Sequence, residues 1–261
     1  MKKKIMIVSS YTPSLIIFRL EMIKKFQDLG YMVIAVGNET VDIWKEKFQK
    51  SQMKYRQLDV SRTGMNPFSD LKTLIQLTKI FKKENPYKVF LYNPKTVIYG
   101  CLAAKFNKIK EVYALIAGLG SIIRDEPSTL KRKIVRKIMM SEYRIALKSA
   151  RKVLFQNKDD MQTFIDLGLV KDSKCCIVNG SGVDLKEFPE VKLPDQPAFL
   201  MVGRLLRDKG IIEYLKACRI MKEKYPSCRC MLVGPFDTNP SAISEQDLET
   251  YIKDGVIEYF G

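Results

Sequence analysis

Histidine is absent from the 261 residues. That removes the commonest general base and the commonest metal ligand, so proton transfer falls to Asp, Glu, Lys, Tyr or Cys. No D-x-D pair occurs either, so the simple carboxylate clamp for a divalent cation is not visible. Six cysteines lie at 101, 175, 176, 218, 228 and 230. None form a C-x-x-C pair, and the CC and CRC clusters have the wrong spacing for a zinc ribbon. They read as reduced thiols of a cytosolic protein, mostly filling cores. No run of about 18 apolar residues is present, the length a membrane-spanning helix requires. The N-terminal MKKKIMIVSSYTPSLIIFRL imitates a signal peptide, with three lysines before an apolar stretch. SSYTPS breaks that stretch, no A-x-A site follows, and Arg19 and Glu21 interrupt its second half. A buried strand running into a helix fits better.

What is present is charge and alternation. Lys and Arg total 45 against 29 Asp and Glu, a net charge of +16. Such a surface suits an anionic partner: nucleic acid, acidic lipid or a phosphorylated substrate. KIMIVSS, YMVIAVG, YRQLDV, YKVFLY, EVYALIAG and RKVLFQN read as strands. SLIIFRLEMIKKFQDLG, VDIWKEKFQK, residues 67–83, TVIYGCLAAKF, residues 129–149 and DDMQTFIDLG read as helices. The unbroken apolar VIAV and VFLY mark strands buried on both sides. The fold class is therefore α/β, a doubly wound parallel sheet with helices on both faces. DLKEFPEVKLPDQPAF, with three prolines, interrupts the pattern. It predicts a domain at 1–184, a linker at 185–197 and a second domain at 198–261. There AFLMVG, CRCMLVG and VIEYF read as strands between the helices GIIEYLKACRIMKEKY and SEQDLETYIKD. That is the same architecture with three strands only.

One junction stands out. In FLMVGRLLRDKGIIEYLKA an apolar run ends at Gly203, the cations Arg204 and Lys209 follow, and Gly210 opens a helix. Open α/β sheets bind ligands at the carboxyl ends of their strands. Free N–H groups at a helix start favour an anion, and Gly203 permits close approach of the backbone. Arg204 can grip phosphate with two hydrogen bonds, and Lys209 acts as a point charge. The plainer alternative, a solvated loop turned by a glycine, stays open on residues alone.

Other segments carry two readings each. ALIAGLGSII places Gly118 and Gly120 after a strand, as a dinucleotide loop would, but Ile123 stands where a third glycine belongs. The acidic residue due about 20 positions later has only Glu142 as a candidate, so a glycine loop lining a cleft is the better reading. In SSYTPSLIIFR, residues Pro13, Ser14 and Arg19 face the cleft, or Ser14 merely caps a helix. NGSGVD, with Gly180 and Gly182, is a hinge or a plain turn. Residues 129–152 set Lys131, Arg132, Lys133, Arg136, Lys137, Arg144, Lys148, Arg151 and Lys152 against Glu142 alone. A helix lying on an anionic membrane fits that excess, and an ordinary solvated face is the alternative. No RNP motif, zinc finger or cluster of stacking aromatics accompanies the charge, so nucleic acid is not the expected partner.

Taken in order, SSYTPSLIIFR, the GLG loop, FQNKDD, NGSGVD, FLMVGRLLRDKG and MLVGPFD resemble retaining glycosyltransferases of family four. The nearest group builds capsule, O-antigen or protein-linked glycans on a polyprenyl diphosphate. The resemblance implies the GT-B fold, two facing Rossmann-like domains, the second incomplete here. It implies that Gly203, Arg204, Lys209 and Gly210 hold the diphosphate of a nucleotide-sugar donor, such as a UDP-sugar. The N-terminal domain would take a glycan or lipid-linked acceptor, with the Ser14, Arg19 and Gly118–Gly120 loops lining the cleft. It implies no cofactor and no metal, names no catalytic residue, and suits a cytoplasmic protein peripheral to the inner membrane face. The family's Glu-(seven residues)-Glu motif does not occur before Gly261. A split gene, a fragment completed by a partner or a shortened chain would each produce that, and reduced activity is expected. An epimerase of the same fold, or a basic module without catalysis, are the rival readings.

Overall fold

The computed structural model describes residues 2–61, 66–120, 123, 129–237 and 241–261. The chain divides into two compact units, Met1–Val183 and Asp184–Gly261. Residues 184–197 hold no helix or strand.

In the first unit β1 (Lys4–Val8), β2 (Met32–Gly37), β3 (Lys54–Gln57), β4 (Lys88–Tyr92), β5 (Glu111–Ile116), β6 (Lys152–Phe155) and β7 (Cys175–Ile177) form one sheet. Its order is β3-β2-β1-β4-β5-β6-β7, and every pairing is parallel. The pleat sends alternate residues to opposite faces, and each face has its own core. Met6, Val8, Ile34, Val36, Val89 and Leu91 pack with residues of α4 (Pro67–Glu84), α5 (Pro94–Phe106), α6 (Leu130–Ala146) and α7 (Lys158–Asp166). Ile5, Ile7, Val33, Ala35, Phe90 and Tyr92 pack with Leu15 of α1 (Pro13–Ile17), Ile23 of α2 (Leu20–Asp28) and Phe48 of α3 (Val41–Lys50). Burying each large apolar side chain contributes about 1.5–3 kcal/mol, and with a core on each face these strands are unbroken apolar runs with no polar face.

Two expectations change. The run SLIIFRLEMIKKFQDLG is not one helix: it breaks at Phe18 and Arg19, where φ falls to −115° and −125°. The break turns Arg19 inward. CCI, which has neither length nor alternation to announce it, forms β7 at the sheet edge.

In the second unit β8 (Ala198–Val202), β9 (Arg229–Val233) and β10 (Glu258–Tyr259) form a parallel sheet in the order β10-β9-β8. Helices α8 (Ile211–Lys224) and α9 (Glu245–Lys253) pack on it through Ile211, Leu215, Leu232 and Leu248. Ser244 and Asp247 close the start of α9 with a reciprocal capping box. Cys101, Cys218, Cys228 and Cys230 are buried, and all six cysteines are free thiols.

Candidate functional site

Strand order reverses between β1 and β4, the switch point where ligands of open α/β sheets bind. There the chain builds a hydroxyl-rich knot. Ser9 follows β1, and its Oγ lies 2.9 Å from Asn93 Oδ1 and 3.0 Å from Ser14 Oγ. The Ser14 hydroxyl lies 2.9 Å from that of Tyr92, the last residue of β4. Asn93 also accepts from Ser10 N at 3.1 Å. Its own backbone sits at φ +76°, ψ 143°, a conformation that costs about 1–3 kcal/mol outside glycine. Pro94 then starts α5. On the β2 side, Thr12 N donates to Asn38 Oδ1 at 2.9 Å, and Glu39 N donates to Thr12 Oγ1 at 3.0 Å. Gly37 must be glycine, since a Cβ there would run into Thr12 Oγ1 and the Tyr55 hydroxyl.

Ser14 therefore holds the loop instead of presenting its hydroxyl to solvent. It does not cap α1 either: Thr12 occupies the cap position, and Ser14 is the second helical residue, buried. Arg19 is the unexpected part. It is 7% exposed, and its guanidinium lies 4.9 Å over the Tyr92 ring. Nη1 donates to Ser181 Oγ at 2.8 Å, while Nε has no partner. Among the described residues no carboxylate pairs with it. Burial pulls its pKa down, and Tyr92 pushes it back up, but an arginine stays charged. Burial likewise raises Tyr92, against hydrogen bonds from Ser14 and Ser9 and the charge of Arg19. Gly180 (φ +77°) and Gly182 (φ +73°) flank the Ser181 that Arg19 holds. Gly118 and Gly120 follow β5, and a Cβ on either would meet nothing. Ser121, Ile122 and residues 124–128 of that loop lie outside the described residues.

In the second unit GRLLRDKG resolves residue by residue. Gly203 approaches Gly234 so closely that a Cβ on Gly234 would strike the Gly203 carbonyl. Leu205 and Leu206 are buried, and Leu206 bridges to Ala242, so the loop is pinned to the segment after β9. Arg207 is structural, pairing with Asp247 of α9 at 3.3 Å. Arg204 points out and pairs with Asp237 at 3.0 Å. Asp237 ends the MLVGPFD stretch but had no role assigned from the sequence; it lies 33 residues from Arg204 and meets it only through the fold. Lys209 ends a short 3-10 turn and has no ion-pair partner among the described residues. Gly210, at φ +78°, starts α8 with no side-chain cap. The first-turn amides of α8 thus lie beside Lys209, with Glu213 in the same turn.

The basic segment divides. Arg144 donates to the carbonyls of Leu167 and Gly168 at the end of α7. Arg151 pairs with Glu111, and Lys152 donates to Ser173 O. These cations bind the domain together. Lys131, Lys133 and Lys137 on α6 are exposed. Glu142 turns inward, where it accepts from the Tyr99 hydroxyl at 3.2 Å. Among the described residues no helix is long and apolar enough to cross a membrane, and no group of three His, Cys, Asp or Glu gathers as a metal site needs.

Comparison with known proteins adds to this geometry. A profile described as glycosyl transferase 4-like matches residues 7–157. The N,N'-diacetylbacillosaminyl-diphospho-undecaprenol alpha-1,3-N-acetylgalactosaminyltransferase of Campylobacter jejuni is 29% identical over 258 residues. That alignment covers 94% of this chain, which spans 65% of the relative's length. Among solved structures, a glycosyltransferase from Rickettsia africae is similar with a TM-score of 0.67 at 19% identity, over 100% of this chain and 68% of that one. A structure of a UDP-N-acetylglucosamine 2-epimerase from Rickettsia bellii reaches a TM-score of 0.57 at 17% identity, over 100% and 69%. At such identities the likeness shows the fold alone, the GT-B plan of two Rossmann-like units.

Proposed function

Since the chain belongs to the glycosyl transferase 4-like family, we propose that it moves a sugar from a nucleotide-sugar donor to a lipid-linked acceptor. The observation that carries this reading is the alignment, over 94% of the chain, with a transferase whose name specifies a sugar on diphospho-undecaprenol. The loop after β8 supports it. Arg204, Lys209 and the uncapped first-turn amides of α8 belong to one loop-and-helix junction, and in this reading they take the donor diphosphate. As the nucleoside diphosphate leaves, negative charge grows on its oxygens, and fixed cations and amides stabilise that charge more than the ground state. Arg204 reaches the diphosphate by sharing or exchanging Asp237. The donor is a UDP-sugar, transfer retains configuration, and the product belongs to a cell-surface glycan.

The acceptor lies at the carboxyl edge of the first sheet, between the Asn93 knot and the Gly118–Gly120 loop. Gly180 and Gly182 supply the hinge, with Arg19 holding Ser181 between them. The exposed lysines of α6 face the anionic inner leaflet, from which a polyprenyl-linked acceptor is presented.

Calorimetric titration of the whole chain with UDP and UDP-sugars tests the donor site. Saturable binding, lost in Arg204→Ala/Lys209→Ala, is the expected result. Silence from the unaltered chain would sink the reading, and release of free sugar without acceptor would point to epimerase chemistry instead.

A further inference from the structure

Outward faces of domain helices are ordinarily polar, and α4 and α6 depart from this in the same way. Both pack against α5, which is buried on the same side of the sheet. On α4 the residues Phe68, Leu71 and Ile75 form an exposed stripe at helical spacing, opposite the buried Thr73, Leu77 and Phe81. Phe68 is 84% exposed. On α6 Leu130, Ile134 and Ile138 form a second exposed stripe, opposite Tyr143 and Ala146. The α4 stripe occupies the N-terminal half of its helix, and the α6 stripe starts at its N-terminus and runs on to Ile145; both begin at the ends nearest the carboxyl edge of the sheet. Exposed lysines accompany them: Lys79 and Lys82 on α4, Lys131, Lys133 and Lys137 on α6.

The acids of these two helices all turn the other way. Asp70 pairs with Lys95 of α5 at 2.6 Å. Glu84 is buried against Lys54 and Arg56. Glu142 accepts from Tyr99 of α5. The result is an apolar and cationic surface to which neither helix contributes an outward carboxylate. Asp70 and Glu142 thereby tie α4 and α6 to α5, which sets the spacing of the stripes. A second copy of this face would set lysine against lysine. An anionic bilayer meets both properties, taking the apolar side chains below its headgroups and the lysines among them.

We propose that α4 and α6 form one docking platform for an anionic lipid bilayer, with Phe68, Leu71, Ile75, Leu130, Ile134 and Ile138 entering the interface. It rests on the reading of a lipid-linked acceptor and adds α4 as a second, apolar limb that the charge pattern of α6 does not reveal. Docked this way, the carboxyl edge of the first sheet lies near the membrane surface.

Co-sedimentation of the full chain with vesicles tests it, using phosphatidylcholine alone or with one third phosphatidylglycerol and no nucleotide-sugar. The chain is expected on the anionic vesicles. Phe68→Ser/Leu71→Ser should weaken partitioning about tenfold with every α6 cation intact; partitioning equal to the unaltered chain would overturn the proposal. Trp44, the single tryptophan, packs on the opposite face of the sheet, so Trp44→Phe/Phe68→Trp reports on α4 alone. Its emission should move to the blue on anionic vesicles, and an unmoved emission would also overturn the proposal. Vesicle binding without any transfer, even to a water-soluble acceptor, would overturn the transferase reading and leave the platform standing.

Discussion

Arg19 brings a positive charge out of water and gives it a ring, a hydroxyl and the Phe18 carbonyl, with no carboxylate among the described residues. A buried cation without a counter-ion weakens a fold more than it supports it. Arg19→Met keeps the volume and removes the charge. The expected outcome is an unchanged or higher melting temperature, with nucleotide binding intact and transfer to the acceptor reduced. A clear fall in melting temperature would make the guanidinium a structural tie only. Arg204 poses the opposite question, because Asp237 already neutralises it. Asp237→Asn frees Arg204, so UDP affinity should rise several-fold. Lys209→Ala removes a charge with no ion-pair partner among the described residues and should weaken UDP by about 1.5–3 kcal/mol, roughly tenfold or more, with no effect on melting. If UDP affinity ignores both changes, the phosphate lies elsewhere.

At the scale of elements, one contact joins α4 to β3. Glu84 ends α4, is 2% exposed, and meets Lys54 and Arg56 of β3 at 2.9 and 2.6 Å. Burial raises its carboxyl, but the hydrogen bonds and charges of Lys54 and Arg56 outweigh burial and hold it below the ordinary value. A depressed folded pKa stabilises above the unfolded value, near 4.3, and the contribution disappears as pH falls through the folded pKa. Glu84→Gln should therefore cost roughly 1–3 kcal/mol at neutral pH and flatten the acid limb of the stability profile, measured by urea unfolding between neutral pH and pH ~3. Glu84 was not legible as a site of this kind, because its partners lie 28 and 30 residues away. What was legible followed from local rules. Unbroken apolar runs gave the strands, and their alternation with helices gave the doubly wound sheet. A strand, glycine and cation before a helix gave the junction at Gly203–Gly210. The break at Phe18–Arg19 was hidden because SLIIFRLEMIKKF keeps helical periodicity across it, and only Tyr92 and Ser181 explain the inward turn. The Asn93 knot was hidden for the same reason: its members lie up to 84 residues apart.

The two units differ in how well their sheets are covered. Seven strands with helices on both faces fill two cores in the first. The second has three strands and one core. There β8 occupies the place that β1 has in the first sheet, with two strands on one side. On the other side β1 pairs with β4, whereas β8 has no partner among the described residues. Accordingly Phe199, Leu200 and Val202 are exposed, and the unit has a single, smaller core. Stability scales with that burial, so heating should produce two transitions, the lower one from the second unit. The proposed donor site lies wholly in that unit. UDP at a hundred times its dissociation constant adds about 2.7 kcal/mol to whatever it binds, so it should raise the lower transition and leave the upper one in place. Differential scanning calorimetry with and without UDP reads this directly. A shift of the upper transition alone would move the nucleotide site to the first sheet, and with it the division of labour between the two units.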